Sequence, residues 1–368
     1  MSASSKEHLL LVAASPFEAA RKVEILDENH PSRRLHGHSF LAKARVEVDA
    51  DGRSKDGTEV ESLYQRLKDC VAELDYQYLN DHLPVPTDEN LARWISRRMP
   101  DSLINCVGIQ STRDQGVDLD SEQKAHVWRR FRFEAAHKLP NVPAGHQCGR
   151  MHGHGFEVIL HSEQNISDQQ LGIDYDRLDE LWQPLYRRLN NACLNDVEGL
   201  DNPTSEVLSH WLWDRIKPLC ESLSWVSVYE TATAGCHFNG SDYRIWKEQR
   251  FESALRLENA PEGDARRNLH GHSYLVRLHL TAPLDQVLGW TVDYGDVKSL
   301  FKPAYDQLDH HLISDVPGMG QEGSASIARW IKAQISEALP ELDRIDIYEK
   351  PGCGVVLGWG EESPILPI

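Results

Sequence analysis

Three histidines and one cysteine, His137, His152, His154 and Cys148, sit at spacings that suit metal-assisted chemistry. Residues two apart on a strand project to one face, so His152 and His154 aim both imidazoles at one point, with Gly153 between them leaving room. His137 falls on the preceding strand. Three neutral imidazoles on two adjacent strands form the usual catalytic zinc (Zn2+) arrangement, with a fourth position free for water or substrate. Cys148 lies in the turn Gly145-His146-Gln147-Cys148-Gly149-Arg150, close enough to reach the metal region with a thiol whose pKa a nearby cation lowers. Two roles for it stand open: a proton-abstracting base, or a fourth zinc ligand in a closed structural site. A third reading makes the histidines core residues with no metal, which requires three of them to converge by accident.

The elements that position these groups occur three times. His-Gly-His recurs at 36–38, 152–154 and 270–272, each time followed by a small residue, an aromatic and an alternating apolar run. Upstream stand Phe17-Glu18-Ala19-Ala20, Phe133-Glu134-Ala135-Ala136 and Phe251-Glu252-Ser253-Ala254, so the duplication covers whole domains. Tyr274, Val276, Leu278 and Leu280 alternate with Arg277 and His279 as in a half-buried strand. Tyr175 to Leu189 reads as a helix, as does Thr204 to Pro218, capped by Thr204 and striped with Val207, Leu208, Trp211, Leu212 and Ile216. Closing strands follow at Trp225 to Glu230 and Arg344 to Glu349. The order strand, strand, helix, helix, strand, strand predicts an α+β unit whose small antiparallel sheet needs neighbours to cover its edges. Three units, over 1–122, 123–242 and 243–368, can close those edges on each other.

Composition bounds the function. At 368 residues the chain suits two or three domains, and the repeat selects three. A net charge of −18 repels phosphate backbones and leaves a small-molecule substrate as the better expectation, with no nucleic acid. No apolar run approaches bilayer length, and Leu9 to Ala14 is short and lacks a basic leader, so it reads as a first strand in a soluble, cytoplasmic protein with no membrane partner. Seven cysteines are an odd number without framework spacing and are expected to be reduced thiols.

Phe133-x5-Leu139, Cys148-x3-His152-Gly153-His154, Asn202-Pro203-Thr204-Ser205-Glu206 and Glu230-Thr231-x2-Ala234-Gly235-Cys236 together resemble the 6-pyruvoyl-tetrahydropterin synthase family. The three-residue gap between cysteine and His-Gly-His is similar to its bacterial 6-carboxy-5,6,7,8-tetrahydropterin synthase branch, which serves queuosine biosynthesis. The resemblance implies the tunnelling fold, here a pseudo-trimeric antiparallel barrel with helices outside, and homodimers stacked as a pseudo-hexamer. It implies zinc on His137, His152 and His154, Cys148 as catalytic thiol and Glu230 anchoring a pterin ring, with Thr204 and Ser205 adding hydrogen bonds. It also implies an Asp-His pair from a neighbouring unit.

The copies have diverged at these positions. The middle unit reads Leu189-Asn190-Asn191-Ala192 where the Asp-His pair belongs, whereas the third reads Leu308-Asp309-His310-His311 but carries Leu255 and Arg266 at the first zinc and cysteine positions. The first keeps Asp75, with Tyr76, Arg21 and Ser32 elsewhere and Gln110 in place of the pterin glutamate. Complementary loss predicts one active site per chain, with Asp309 and His310 completing the middle unit. Arg21, Arg34, Arg266 and Arg267, near the incomplete pockets, either bind an anion or are solvated, and solvation is the expectation. The implied reaction cuts 7,8-dihydroneopterin triphosphate to 6-carboxytetrahydropterin, acetaldehyde and triphosphate. Triphosphate elimination to 6-pyruvoyl-tetrahydropterin and a non-catalytic pterin-binding scaffold are the alternatives.

Overall fold

A computed structural model of the chain describes residues 6–48, 57–99, 104–165, 172–319 and 323–359. The first unit runs β1 (His8–Arg21), β2 (His36–Glu47), α1 (Glu59–Val71), β3 (Gln77–Tyr78), α2 (Asp88–Arg98), β4 (Ile104–Thr112) and β5 (Gln115–Asp120). The second repeats this as β6 (Ala125–His137), β7 (His152–Gln164), α3 (Tyr175–Leu189), β8 (Ala192–Cys193), α4 (Ser205–Ile216), β9 (Leu223–Thr231) and β10 (Ala234–Phe238). The third is β11 (Tyr243–Leu255), β12 (His270–Ala282), α5 (Tyr294–Leu308), β13 (His311–Leu312), α6 (Ser324–Ile335), β14 (Leu342–Lys350) and β15 (Cys353–Gly358). The short strands between the helices of each unit have no periodic signal in the sequence.

Twelve strands close into one antiparallel barrel. Within each unit the long strands pair as neighbours, and the seams between units are β5 with β6, β1 with β15 and β10 with β11. Closure removes every edge of the four-stranded sheets, as their exposed edges required. The helices cover the outer face, and an apolar layer fills the space beneath them, including Phe133, Phe156, Leu178, Trp182 and Leu212. Each Phe-Glu motif is explained here. Its phenylalanine stacks on the aromatic that follows His-Gly-His, with ring centres at 4.9 Å for Phe17 and Phe40, 5.0 Å for Phe133 and Phe156, and 5.1 Å for Phe251 and Tyr274.

The other face of the strands lines the barrel interior, which changes one expectation. Arg277 and His279 were assigned the open side of a half-buried strand, yet His279 is 1% exposed and meets Asp346 at 3.2 Å. Asp346 in turn holds Arg344 at 2.6 and 2.8 Å. Polar alternation thus marks the inside of a closed barrel, where charges are paired rather than solvated. No helix among the described residues is long and apolar enough to cross a membrane.

Candidate metal and thiol site

The three histidines converge. β6 and β7 pair so that His137 stands opposite His152, and His154 follows on the same face. Ring centres lie 4.5 Å apart for His137 and His152, 5.2 Å for His137 and His154, and 5.0 Å for His152 and His154. The Nδ1 atoms of His137 and His152 meet the carbonyls of Pro203 at 2.9 Å and Arg150 at 2.7 Å. A carbonyl only accepts, so each Nδ1 carries a proton, which leaves Nε2 as the lone-pair nitrogen of the neutral ring. Gly153 makes room differently from the sequence expectation: a Cβ there would stand 3.2 Å from the Ala135 carbonyl oxygen of the paired strand. Gly37 and Gly271 meet the same constraint, so the glycine permits strand approach and not imidazole convergence.

Glu230, from the end of β9, completes the cluster. Its Oε1 lies 3.6 Å from His137 Nε2 and 3.5 Å from His154 Nε2, and the four groups could hold one metal ion. Those separations are near the ~3.3 Å edge of a tetrahedron with bonds of about 2.0 Å. They are long for hydrogen bonds, and His137 Nε2 and His154 Nε2 are buried without a hydrogen-bond partner. Orphaned imidazole lone pairs aimed at a carboxylate fit a cation. Burial, foremost, holds His137 down to about 4, and the same cause lowers His154, so both rings stay neutral as ligands must. Glu230 is pushed up to about 7 by burial, then by Glu206, with Lys247 opposing. Its place beside the imidazoles adds a possible ligand role to the ring-anchoring role expected of it. No second such cluster occurs among the described residues, so the flanking His-Gly-His pairs form none.

A cavity of about 430 Å3 opens over this cluster, at the seam between the second and third units. Cys148, His146, Thr204, Glu206 and Glu230 line it from the second unit, and Lys247, Trp290, Val292, Asp293 and Tyr294 from the third. Cys148 sits half-buried in a short turn, but the expectation that a cation lowers its pKa is not met by the protein's own groups. Burial raises the thiol, followed by the carboxylates of Glu230 and Asp293. Thr204 caps α4 by accepting the Val207 amide at 3.1 Å and also donates across the seam to the Gly289 carbonyl. Ser205 meets Tyr294 Oη at 2.8 Å and Glu206 Oε2 at 3.0 Å.

Asp309 and His310 are not among the residues lining this cavity. They follow α5 and clasp their own unit: Asp309 Oδ1 accepts the Glu252 amide at 2.9 Å, and the His310 amide donates to the Glu252 carbonyl at 2.6 Å. Asp75 with Tyr76 and Asn190 with Asn191 clasp Glu18 and Glu134 in the same way. Tyr76, Asn191 and His310 all have positive φ, at 55°, 58° and 58°. Asn and His are enriched among the non-glycine residues that adopt that region, whereas Tyr is not. Asp309 Oδ2 is left to hold His310 Nδ1 at 2.9 Å, and the His310 side chain is 76% exposed.

The other two seams hold degenerate versions. Between first and second units, a cavity of about 170 Å3 contains Arg21, His36, His38, Asp88 and Tyr175. Arg21, expected to be solvated, is 5% exposed and bonds Asp88 Oδ1 at 2.7 Å. Asp88 Oδ2 accepts from Ser111 Oγ and Tyr175 Oη, each at 2.6 Å. The register also corrects the assignment of Gln110. Five residues after each His-Gly-His start, Leu41, Glu157 and Leu275 stand opposite Gln110, Tyr229 and Tyr348. The counterpart of Glu230 is therefore Ser111 in the first unit and Glu349 in the third. At that third seam Arg266 pairs with Asp264 at 2.6 Å and Leu255 replaces the first histidine, so neither can hold a metal.

Missed in the sequence were Glu206, His146, Trp290, Asp293 and Tyr294. Glu206 was within reach, since it closes the Asn202–Glu206 motif. The others act across a seam that no linear pattern reveals.

The chain matches 6-pyruvoyl tetrahydropterin synthase over residues 11–119, 126–241 and 244–358. It is 32% identical over 119 residues to 6-carboxy-5,6,7,8-tetrahydropterin synthase of Synechocystis, covering 30% of this chain and 91% of the relative. To dihydroneopterin monophosphate aldolase of Pyrococcus furiosus it is 34% identical over 95 residues, covering 25% and 76%. A solved 6-pyruvoyl tetrahydropterin synthase of Caenorhabditis elegans superposes on 33% of this chain and 96% of its own, at 18% identity and a TM-score of 0.30.

Proposed function

The chain belongs to the 6-pyruvoyl tetrahydropterin synthase family, and we propose that it is a zinc-dependent lyase converting 7,8-dihydroneopterin triphosphate and water to 6-carboxytetrahydropterin, acetaldehyde and triphosphate. The observation that carries this is the convergence of three imidazoles and the Glu230 carboxylate beside a cavity that Cys148 also lines. The similarity of a stretch the length of one unit to a 6-carboxytetrahydropterin synthase favours this outcome over triphosphate elimination.

His137, His152 and His154 hold the zinc, with Glu230 beside them. Bound there, zinc supplies Lewis acidity that stabilises negative charge on the substrate side chain. Cys148 takes the side-chain proton. Glu230 accepts the ring N–H groups, a role its carboxylate suits, and Thr204 contributes a hydroxyl near the ring, while Ser205, bonded to Glu206 and Tyr294, supports the wall. His310, oriented by Asp309, returns a proton.

Because Asp309 and His310 do not line the cavity of their own chain, they act on a second copy, in a homodimer of stacked barrels. Cytoplasmic location and a role before queuosine-type products accompany this proposal.

The test is direct. Protein incubated with 7,8-dihydroneopterin triphosphate should yield 6-carboxytetrahydropterin by mass and lose turnover about 10²- to 10⁴-fold in Cys148→Ala, the usual range for a general base. A 6-pyruvoyl product would assign the sister reaction, and neither product would leave only a binding role. Coexpressed Cys148→Ala and His310→Ala chains should regain activity in mixed dimers, and failure to do so would remove the shared site.

A further inference from the structure

The turn carrying Cys148 is fastened at both ends of one imidazole. His146 Nδ1 accepts the Cys148 amide at 3.2 Å, and His146 Nε2 reaches Asp293 Oδ2 of the third unit at 3.1 Å. Acceptance at Nδ1 leaves the proton on Nε2, so the ring is a donor to Asp293 in one fixed tautomer. Asp293 is anchored in turn, because its Oδ1 caps α5 by accepting the Gly295 amide at 2.5 Å. The His146 ring also lies against Trp290, centre to centre 5.8 Å. The Cys148 carbonyl is occupied by the Leu139 amide at 2.8 Å, which ties the other side of the turn to β6.

The first seam repeats the device. There His30 Nδ1 accepts the Ser32 amide at 3.0 Å and His30 Nε2 meets Asp176 of the second unit at 2.9 Å. The third unit shows what a turn needs without it: Asp264 accepts the Arg266 amide at 2.9 Å, and its other oxygen goes to Arg266 itself. A short side chain therefore suffices to cap the turn, and the histidine adds only the link across the seam.

We propose that His146 and Asp293 are positioning residues: together they lock the Cys148 turn to the third unit and set where the thiol stands over the metal cluster. Neither group need touch substrate. An error of an ångström in placing a reacting group can cost about 10²-fold in rate, so a single fixed hydrogen bond suffices to matter. The inference rests on the proposed role of Cys148 for its catalytic consequence but not for its structural content.

His146→Asn keeps an oxygen to cap the turn, as Asp264 does, and is too short to reach Asp293. Asp293→Asn keeps the α5 cap and lacks a second oxygen for His146. In the full-length, metal-loaded protein, each variant should raise the iodoacetamide alkylation rate of Cys148, read by peptide mass, by about tenfold, as loss of a charge-assisted hydrogen bond allows. The double variant should show no further rise, because both substitutions break one link. With pterin substrate, kcat should fall by a similar factor while KM stays within about twofold, the split expected when an interaction matters mainly in the transition state. The first-seam variant His30→Asn should leave Cys148 alkylation and turnover unchanged. Unaltered alkylation in both single variants, or an independent multiplicative effect in the double, would overturn the link. If wild-type protein forms no pterin product while the alkylation pattern holds, the function fails and the link stands.

Discussion

Two seams of one barrel carry the same backbone and opposite chemistry. Between second and third units, His137 and Glu230 belong to a cluster that could hold a cation, and Ser205 behind them bonds Tyr294 of the third unit. Between first and second, the matching positions are Arg21, Asp88 and Ser111, with Tyr175 as the wall. There an internal guanidinium fills the place that a metal would take in the other seam, and Asp88 neutralises it. His36 and His38 persist beside the pair, with His38 held down to about 4 by burial and then by Arg21. The two seams show that a cluster of metal-ligand type and a buried ion pair can occupy matching positions without change of fold. The scaffold rests instead on the stacked aromatics and the clasp on each Phe-Glu motif, which all three units retain.

The comparison can be broken most visibly through metal content. His137→Ala should reduce bound zinc from about one per chain to near none, since two imidazoles bind weakly. Grafting Arg21→His, Asp88→Ser and Ser111→Glu together should raise it towards about two, measured by elemental analysis on dialysed protein. A graft that folds and binds no further metal would show that more than these side chains separates the seams.

A smaller effect is expected in stability. Asp88→Asn leaves Arg21 charged and buried, which costs about 3–5 kcal/mol on removal of one partner of a buried pair. Denaturant unfolding should show that loss, with Cys148 chemistry retained under conditions where the variant is folded. An unchanged midpoint would mean that Arg21 finds water.

A further effect is a pH dependence shared by the second and third units, whereas the first carries Arg45 at the matching position. Inside the barrel His161 and His279 are each held down to about 3 by burial, with neighbouring cations adding to it. The unfolded chain keeps them near 6.5, so it binds more protons between about 3 and 6.5. Stability is therefore present above 6.5 and declines as pH falls through that value, by up to about 1.4 kcal/mol per pH unit for each histidine. Thermal midpoints flat from pH 7 to pH 5 would contradict this.

Most of the fold was legible because its signals are local. Alternation located the strands, Thr204 marked the start of α4, and the span Tyr175 to Leu189 coincides with α3. The site was legible where it lies on two paired strands, since His137, His152, His154 and the nearby Cys148 share one unit. Gln110 was misassigned because the counterpart of a residue depends on strand register, and a shift of one residue inverts which face it occupies. Arg21 was misjudged because its partner, Asp88, lies on a helix far along the chain.

What the sequence determined by itself is the threefold repeat, the unit's order of elements and the retention of one histidine trio. Each is written in residue type and spacing, and periodicity of 2 or 3.6 fixes which residues share a face. What tertiary structure decided is which units face each other and what each seam contains. Barrel closure brought Trp290, Asp293 and Tyr294 against the thiol site, turned His279 inward and left His310 exposed. The inward contacts depend on residues far apart in the chain, from 67 positions for His279 and Asp346 to 147 for His146 and Asp293, which only the closed barrel sets.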